Sequence, residues 1–345
     1  MSFIYERVLD EEFKKKAEYF GISEFIKIQT NSDVSVAKKW CPQSYFFPSK
    51  YREICQDILN FKVRPDDVWV VTFPKCGTTW TQEMVWQICN DLDFGKGKSI
   101  NLNTRFPFLE LEGIASSELK FDTVEFTKNL ASPRLIKSHL PAPLLPKEIW
   151  TVKPKIVYVA RNVKDAAISY FHHYRSLQGY KFSFTDFLDV FLNDAVIYAP
   201  YHTHIVDFWN MRNEENILFI TYEEMKKNHP EVIRRVAEFL EKPLTDEQIT
   251  NLADHLKFDN MTKNASVNFE EELNYIQKVI KKKKENDYNF IRKGKVGSYH
   301  DEMTPELIAK FDTWIEERMV QYQMDPHLRE IFITNKESGF KSSEK

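Results

Sequence analysis

Four short apolar runs stand out along the chain: Val68 to Phe73, Leu135 to His139, Ile156 to Ala160 and Ile217 to Thr221. Each is too short for an ordinary helix and too uniformly apolar for a strand with one wet face, so each reads as a strand buried on both sides. Apolar residues recur at helical spacing over Thr78 to Asp91, Lys164 to Tyr174, Phe184 to Phe191, Tyr201 to Met211, Glu231 to Leu240 and Thr304 to Tyr322. The alternation predicts an α/β fold with a central parallel β-sheet flanked by helices. Ligands of such sheets bind at the carboxyl ends of the strands. There, the four runs end beside Lys75, His139, Arg161 and Tyr222. No repeat or Gly/Ser linker divides the chain, which predicts one domain over 1–345 with its core at about 45–325.

The stretch from Thr72 to Trp80, Thr-Phe-Pro-Lys-Cys-Gly-Thr-Thr-Trp, links the first strand to a helix opening near Thr78. A helix N-terminus offers unpartnered N–H groups and partial positive charge, which suits a phosphate, and Lys75 adds a full charge. The loop is P-loop-like but lacks the first glycine of a Walker A sequence and has no lysine directly after Gly77, so a nucleoside triphosphate fits it poorly. Farther along, Lys137 and His139 lie two apart on a strand and therefore share a face. A cation beside an imidazole that can accept a proton near neutral pH suits group transfer to a hydroxyl. Arg161 at a strand end and Ser169 in the following helix could converge on a second anion.

Composition narrows the choices. The chain has 345 residues, 42% of them hydrophobic and 29% charged, enough to bury a sizeable core. Its 48 basic and 51 acidic residues give a net charge of −3, which offers a nucleic-acid partner no support. The first residues lack an apolar signal core and no stretch is long and apolar enough to span a membrane, so a cytoplasmic protein is expected. Cys41, Cys55, Cys76 and Cys89 include no Cys-x-x-Cys pair and read as reduced thiols. Cys76 at a helix N-terminus has the placement of a nucleophilic thiol, but the arginine such loops need is missing from 77–82. His202 and His204, two apart on a helix, make a poor metal pair, and no metal site is expected. The run Lys281 to Lys284 reads as a solvated face.

Four motifs in order resemble those of the cytosolic sulfotransferases: Thr72 to Trp80, Lys137-Ser138-His139-Leu140-Pro141, Arg161 to Ser169, and Arg292-Lys293-Gly294. That resemblance implies 3′-phosphoadenosine 5′-phosphosulfate (PAPS) as sulfuryl donor, 3′-phosphoadenosine 5′-phosphate (PAP) as product, no metal, and a small phenol or alcohol as acceptor. It implies His139 as general base, with Lys75 and Lys137 stabilising the transferred group. Lys75 would meet the bridging oxygen between sulfate and 5′-phosphate, Thr78 and Thr79 with the N–H groups of the loop through Cys76 and Gly77 would hold the 5′-phosphate, and Arg161, Ser169, Arg292, Lys293 and Gly294 the 3′-phosphate. Trp80 and Phe258 would stack on the adenine with Tyr222 and Met261 nearby. Phe47, Phe108, Leu111, His173 and Tyr174 match positions that help line the acceptor pocket.

The chain also departs from the family pattern. Gly297 is followed by Ser298-Tyr299-His300 where Asp-Trp-Lys is usual, and Leu256 replaces a threonine that often contacts the adenine. A family dimer segment survives only as Thr304 among His300, Thr304, Pro305 and Ala309, so a monomer or weak homodimer is expected. Three alternatives share some of these features. A family member could act as an alcohol dehydratase by transient sulfation. A P-loop kinase would need Gly-Lys-[Ser/Thr] and a magnesium carboxylate. A nucleotide-binding module without catalysis would not need His139.

Overall fold

The computed structural model describes residues 3–17, 22, 24–30, 43–116, 118–119, 122–178, 183–279 and 290–333. The four predicted strands form one parallel sheet: β4 (Val68–Thr72), β5 (Leu135–Ser138), β6 (Lys155–Ala160) and β7 (Ile217–Thr221), in the order β5-β4-β6-β7. The chain leaves β4 for one side of it and then crosses to the other, so the strand order reverses beside β4. The crevice at the carboxyl end of such a switch point is where α/β sheets bind ligands.

Side-chain alternation divides the core. Trp69, Val71, Ile156 and Tyr158 pack on one face with residues of the helices Val163–Gln178 and Tyr201–Asn210. Val68, Val70, Val157 and Val159 pack on the other with the helices Thr78–Cys89 and His229–Phe239. Burial on both faces explains why the strands read as continuous apolar runs.

Helix ends differ from the periodicity where local chemistry intervenes. The first long helix stops at Cys89 because Asp91 and Leu92 take left-handed φ values of 53° and 60°. His229–Phe239 starts earlier than its apolar pattern because the Asn228 side chain caps it and Pro230 occupies its first turn. Thr304, the surviving residue of the dimer pattern, caps the helix Pro305–Gln321 by accepting from the Leu307 N–H.

A second sheet was not foreseen. Strands β1 (Phe3–Arg7), β2 (Phe25–Thr30) and β3 (Tyr45–Pro48) pair antiparallel in that order. Backbone bonds of 3.0 Å from Phe46 N to Ala199 O and from Tyr198 N to Phe46 O tie β3 to the segment after the helix Phe184–Leu192. Packing also runs past residue 325, where the buried Leu328, Ile331 and Phe332 belong to a short helix and Asn162 Nδ2 donates to Phe332 O. The run Lys281 to Lys284 lies outside the described residues, as does Cys41.

Candidate active site

All the strand-end residues meet in one cavity. Its wall includes Lys75 and Gly77 from the loop after β4, Thr78, Thr79 and Trp80 from the first turn of the following helix, Lys137 on β5 and His139 just past its end, Arg161 and Ser169 after β6, and Tyr222 after β7. Phe258, Met261, Arg292, Lys293 and Gly294 close it from later in the chain.

The loop after β4 is shaped by conformations that few residues tolerate. Lys75 has φ 68° and Gly77 φ 102°. A Cβ at Gly77 would lie 2.9 Å from the Tyr222 ring, so this glycine lets the loop approach β7 closely. Gly294 has φ 59°, and a Cβ there would lie 2.4 Å from the Phe258 ring. Two glycines from distant parts of the sequence thus let the aromatic walls close on the same space.

His139 is held at four points. Its backbone N–H donates to Glu110 Oε1 at 2.6 Å, and its carbonyl accepts from His204 Nε2 at 2.9 Å. Its ring Nδ1 lies 2.7 Å from Thr72 O and 3.1 Å from Thr72 Oγ1, which in turn bonds Thr78 Oγ1 at 2.7 Å. A carbonyl only accepts, so the proton sits on Nδ1 and Nε2 keeps its lone pair. Burial, then the Lys137 charge, holds this imidazole well below its usual range and keeps it neutral. Burial likewise brings His204 down to about 4, so it stays a neutral donor whose other nitrogen meets Tyr158 OH at 2.8 Å.

Two lysines flank the ring. Lys137 Nζ sits 4.1 Å from the Phe108 ring centroid and Lys75 Nζ 4.0 Å from that of Phe290. Burial lowers Lys137 to about 8. Burial, with the like charges of Lys137, Arg161 and Arg292, lowers Lys75 to about 7. Glu110 is buried behind them and its carboxyl is pushed up to about 7 by that burial.

The donor half shows how an anion would be met. Arg161 gives Nη1 to Lys75 O at 2.9 Å and Nη2 to Lys295 O at 3.2 Å, while its Nε is buried without a partner among the described residues. Its guanidinium stacks 4.2 Å from the Tyr222 centroid. Trp80 Nε1 donates to Leu256 O at 3.0 Å, which fixes the indole beside Tyr222. Buried cations with an orphaned guanidinium N–H, beside aromatic walls, fit a nucleotide carrying more than one phosphate.

The cations of the Arg-Lys-Gly element are paired with a carboxylate. Arg292 Nη1 and Lys293 Nζ both donate to Glu302 Oε1, at 2.6 and 2.8 Å, and His172 Nε2 meets Oε2 at 2.6 Å. Burial opposes the charge on Glu302, but these bonds hold its carboxyl well below the usual range. The altered Gly297-Ser298-Tyr299 turn is tied to the helix after β6, because Asp165 accepts from Gly297 N, Ser298 Oγ and Tyr299 N at 2.7, 2.9 and 3.0 Å.

Of the acceptor-side residues, Phe108, Leu111 and His173 line the cavity. Phe47 and Tyr174 do not; they are fully buried one layer back. Phe47 packs edge-on against Tyr198 at 5.2 Å, and Tyr174 OH accepts from Ile197 N at 3.2 Å, so both hold the segment that presents Tyr198 to the cavity. Cys76 is also off the wall: its thiol lies 3.9 Å from Tyr201 OH, and burial pushes it up to about 12, which removes it as a nucleophile. His202 packs on Tyr322 and Trp314, and no group of side chains placed to hold a metal occurs among the described residues. No described helix is long and apolar enough to cross a membrane.

Sequence reasoning missed Thr72, Glu110, His204 and Tyr158, which position the β5 histidine. Glu110 alone left a sequence signal, a carboxylate within the apolar run Phe106 to Leu111.

Comparison with known proteins agrees with this geometry. Residues 65–323 match the family model of the sulfotransferase domain. A luciferin sulfotransferase of Photinus pyralis is 39% identical over 279 residues, covering 76% of this chain and 74% of the relative. Sulfotransferase 1B1 of Canis lupus familiaris is 34% identical over 280 residues, covering 81% and 90%. Among solved structures, retinol dehydratase with androsterone and PAP aligns with a TM-score of 0.80 at 28% identity, over 92% of this chain and 96% of that one. With the domain model matching residues 65–323 and two sulfotransferases more than 30% identical over more than two thirds of both chains, the chain belongs to the sulfotransferase domain family and is a PAPS-dependent sulfotransferase.

Proposed function

We propose that this protein sulfates a hydroxyl of a small, largely apolar phenol or alcohol, with His139 as general base. The observation that carries the reading is the His139 tautomer: Nδ1–H is committed to Thr72 O, which leaves a basic Nε2 on a cavity wall shared with Lys75 and Lys137. When bound, PAPS supplies the activated sulfuryl group. His139 takes the proton of the acceptor hydroxyl at Nε2, and Lys137 and Lys75 hold negative charge on the transferred group and on the leaving oxygen. Arg161, Ser169, Arg292 and Lys293 bind the 3′-phosphate, the two last by exchanging Glu302 for it. Apolar Phe108, Leu111 and Ile114 orient a buried ring or chain and keep water from the reacting atoms. Radiolabelled donor with a panel of phenols, catechols, sterols and sugars tests the acceptor class. A clear preference for sugars or peptide tyrosine would overturn it.

A second reading rests on the likeness to retinol dehydratase. Sulfation of an allylic alcohol followed by elimination would give an anhydro product instead of a stable ester. Mass spectrometry of the products separates the two: a sulfate ester supports the first and a dehydrated acceptor the second.

Recognition of the 3′-phosphate gives a thermal test. PAP is expected to raise Tm much more than AMP does, because AMP leaves the Arg161 and Arg292 site unfilled and native-state stabilisation follows affinity. Chelators should not change either shift. Equal shifts with AMP and PAP, or a requirement for magnesium, would turn the reading toward a kinase.

The lysine pair gives a pH test. In the free protein Lys75 titrates at about 7 and Lys137 at about 8, and a bound phosphate, favouring their charged forms, raises both values in the complex. Well below pH 7 both amines are charged in either state, so affinity there keeps their full contribution and does not vary with pH through them. From pH 7 upward the free protein sheds protons that the complex keeps, and PAP affinity falls by up to about tenfold per pH unit for each amine. Calorimetry between pH 6.5 and 9 should show this fall together with proton uptake on binding; a flat profile would contradict it.

A further inference from the structure

The acceptor half of the cavity is not wholly apolar. Glu272, on the helix Glu270–Val279, and Asn103, on the short helix Leu102–Arg105, both lie on the cavity wall. They are joined to each other: Glu272 Oε1 accepts from Asn101 Nδ2 and, at 3.4 Å, from Asn103 Nδ2. Glu272 Oε2 is buried with no hydrogen-bond partner among the described residues. Its helix neighbours Leu273 and Ile276 pack into the apolar cluster that contains Phe108, Leu111 and Ile114, while Leu102, between the two asparagines, packs into the cluster of Trp80 and Met261, so the carboxylate stands on the acceptor side of the wall at its border with the other.

A carboxylate is an acceptor only, with room for further bonds at each oxygen. Both amides direct a donor to Oε1, so Oε2 has lost water and gained no partner among the described residues. A buried polar atom left in that state costs free energy that a suitable ligand group recovers. We infer that Glu272, oriented by Asn101 and Asn103, is a specificity subsite that takes a hydrogen-bond donor at the end of the acceptor remote from the sulfated hydroxyl. The donor is a protonated amine or a second hydroxyl. This rests on the acceptor reading above and refines it: the substrate is apolar along its length and carries a donor at its far end. A plain hydrocarbon in the same place leaves Oε2 unpaired.

The test uses para-alkylphenols whose two- to four-carbon chains end in methyl, hydroxyl or ammonium, with the full chain and its Glu272→Gln and Glu272→Ala variants. In the unmodified protein, the best chain ending in a donor should exceed its methyl counterpart in kcat/KM by about tenfold or more. Glu272→Gln should cut that ratio by about tenfold, and Glu272→Ala should abolish it. PAP affinity, measured by calorimetry in each variant, should stay within about twofold and shows that the protein is folded. A preference for ammonium identifies a cationic acceptor, and a preference for hydroxyl a diol; either supports the subsite. A ratio near one in the unmodified protein, or one that both variants leave in place, overturns it while leaving the sulfotransferase reading intact. Turnover of none of the phenols, with PAP still bound, would overturn the acceptor reading itself and the subsite with it.

Discussion

Replacing His139 by alanine is expected to lower kcat by about 10²–10⁴-fold, the usual worth of a positioned general base, while PAP binding stays within a few-fold. The separation follows from geometry. The ring is anchored through Nδ1 to Thr72 O on the cavity wall, and the cations expected to meet the 3′-phosphate, Arg161, Arg292 and Lys293, stand on other segments. Because burial and Lys137 hold the imidazole well below 6.5, the acid limb of the kcat/KM profile should also fall below that pH in the unmodified enzyme. Stopped assays with a phenolic acceptor at neutral pH give the rate, and calorimetry gives the PAP affinity. Near-normal turnover of the alanine variant would show that another group, or water, takes the proton.

Lys75→Ala is expected to cost about 10²–10³-fold in kcat, the range found when a single preorganised donor to developing charge is removed. Its effect on PAP affinity should be smaller, because Arg161 and the loop N–H groups remain. The φ of 68° at Lys75 adds a reason for caution in choosing the variant: Lys75→Gly tolerates that conformation and controls for strain that alanine would inherit. Single-turnover kinetics with saturating donor isolate the chemical step. If both variants lost PAP affinity in proportion to kcat, Lys75 would be a binding residue with no special share in the transition state.

Much of this arrangement was legible in the sequence, for stated reasons. A parallel strand buried on both faces must be apolar throughout, so β4, β6 and β7 announced themselves, and the period of two put Lys137 and His139 on one face before any coordinates. Less visible were contacts that need the fold. The partner that fixes the His139 tautomer is a backbone carbonyl at Thr72, which no side-chain pattern encodes. Glu302 takes Arg292 and Lys293 because a turn brings them together, a pairing that no motif in the sequence marks. Phe47 and Tyr174 have the character of pocket residues but stand behind Tyr198, since packing decides which of two neighbouring aromatics faces the cavity. The antiparallel sheet of β1 to β3 was missed because β1 is largely exposed and carries no clean apolar stripe.

The Arg161 guanidinium bridges carbonyls that lie 86 residues before it and 134 after it. Closing contacts across such spans costs chain entropy that only the finished structure returns. The loop after β4 is therefore not a self-contained cassette: on a growing chain Lys75 emerges early, its carbonyl waits for Arg161, and the second arm of that guanidinium waits for Lys295. A fragment ending before that point would carry every residue of the loop and Arg161 as well, yet leave one arm of the guanidinium without its carbonyl.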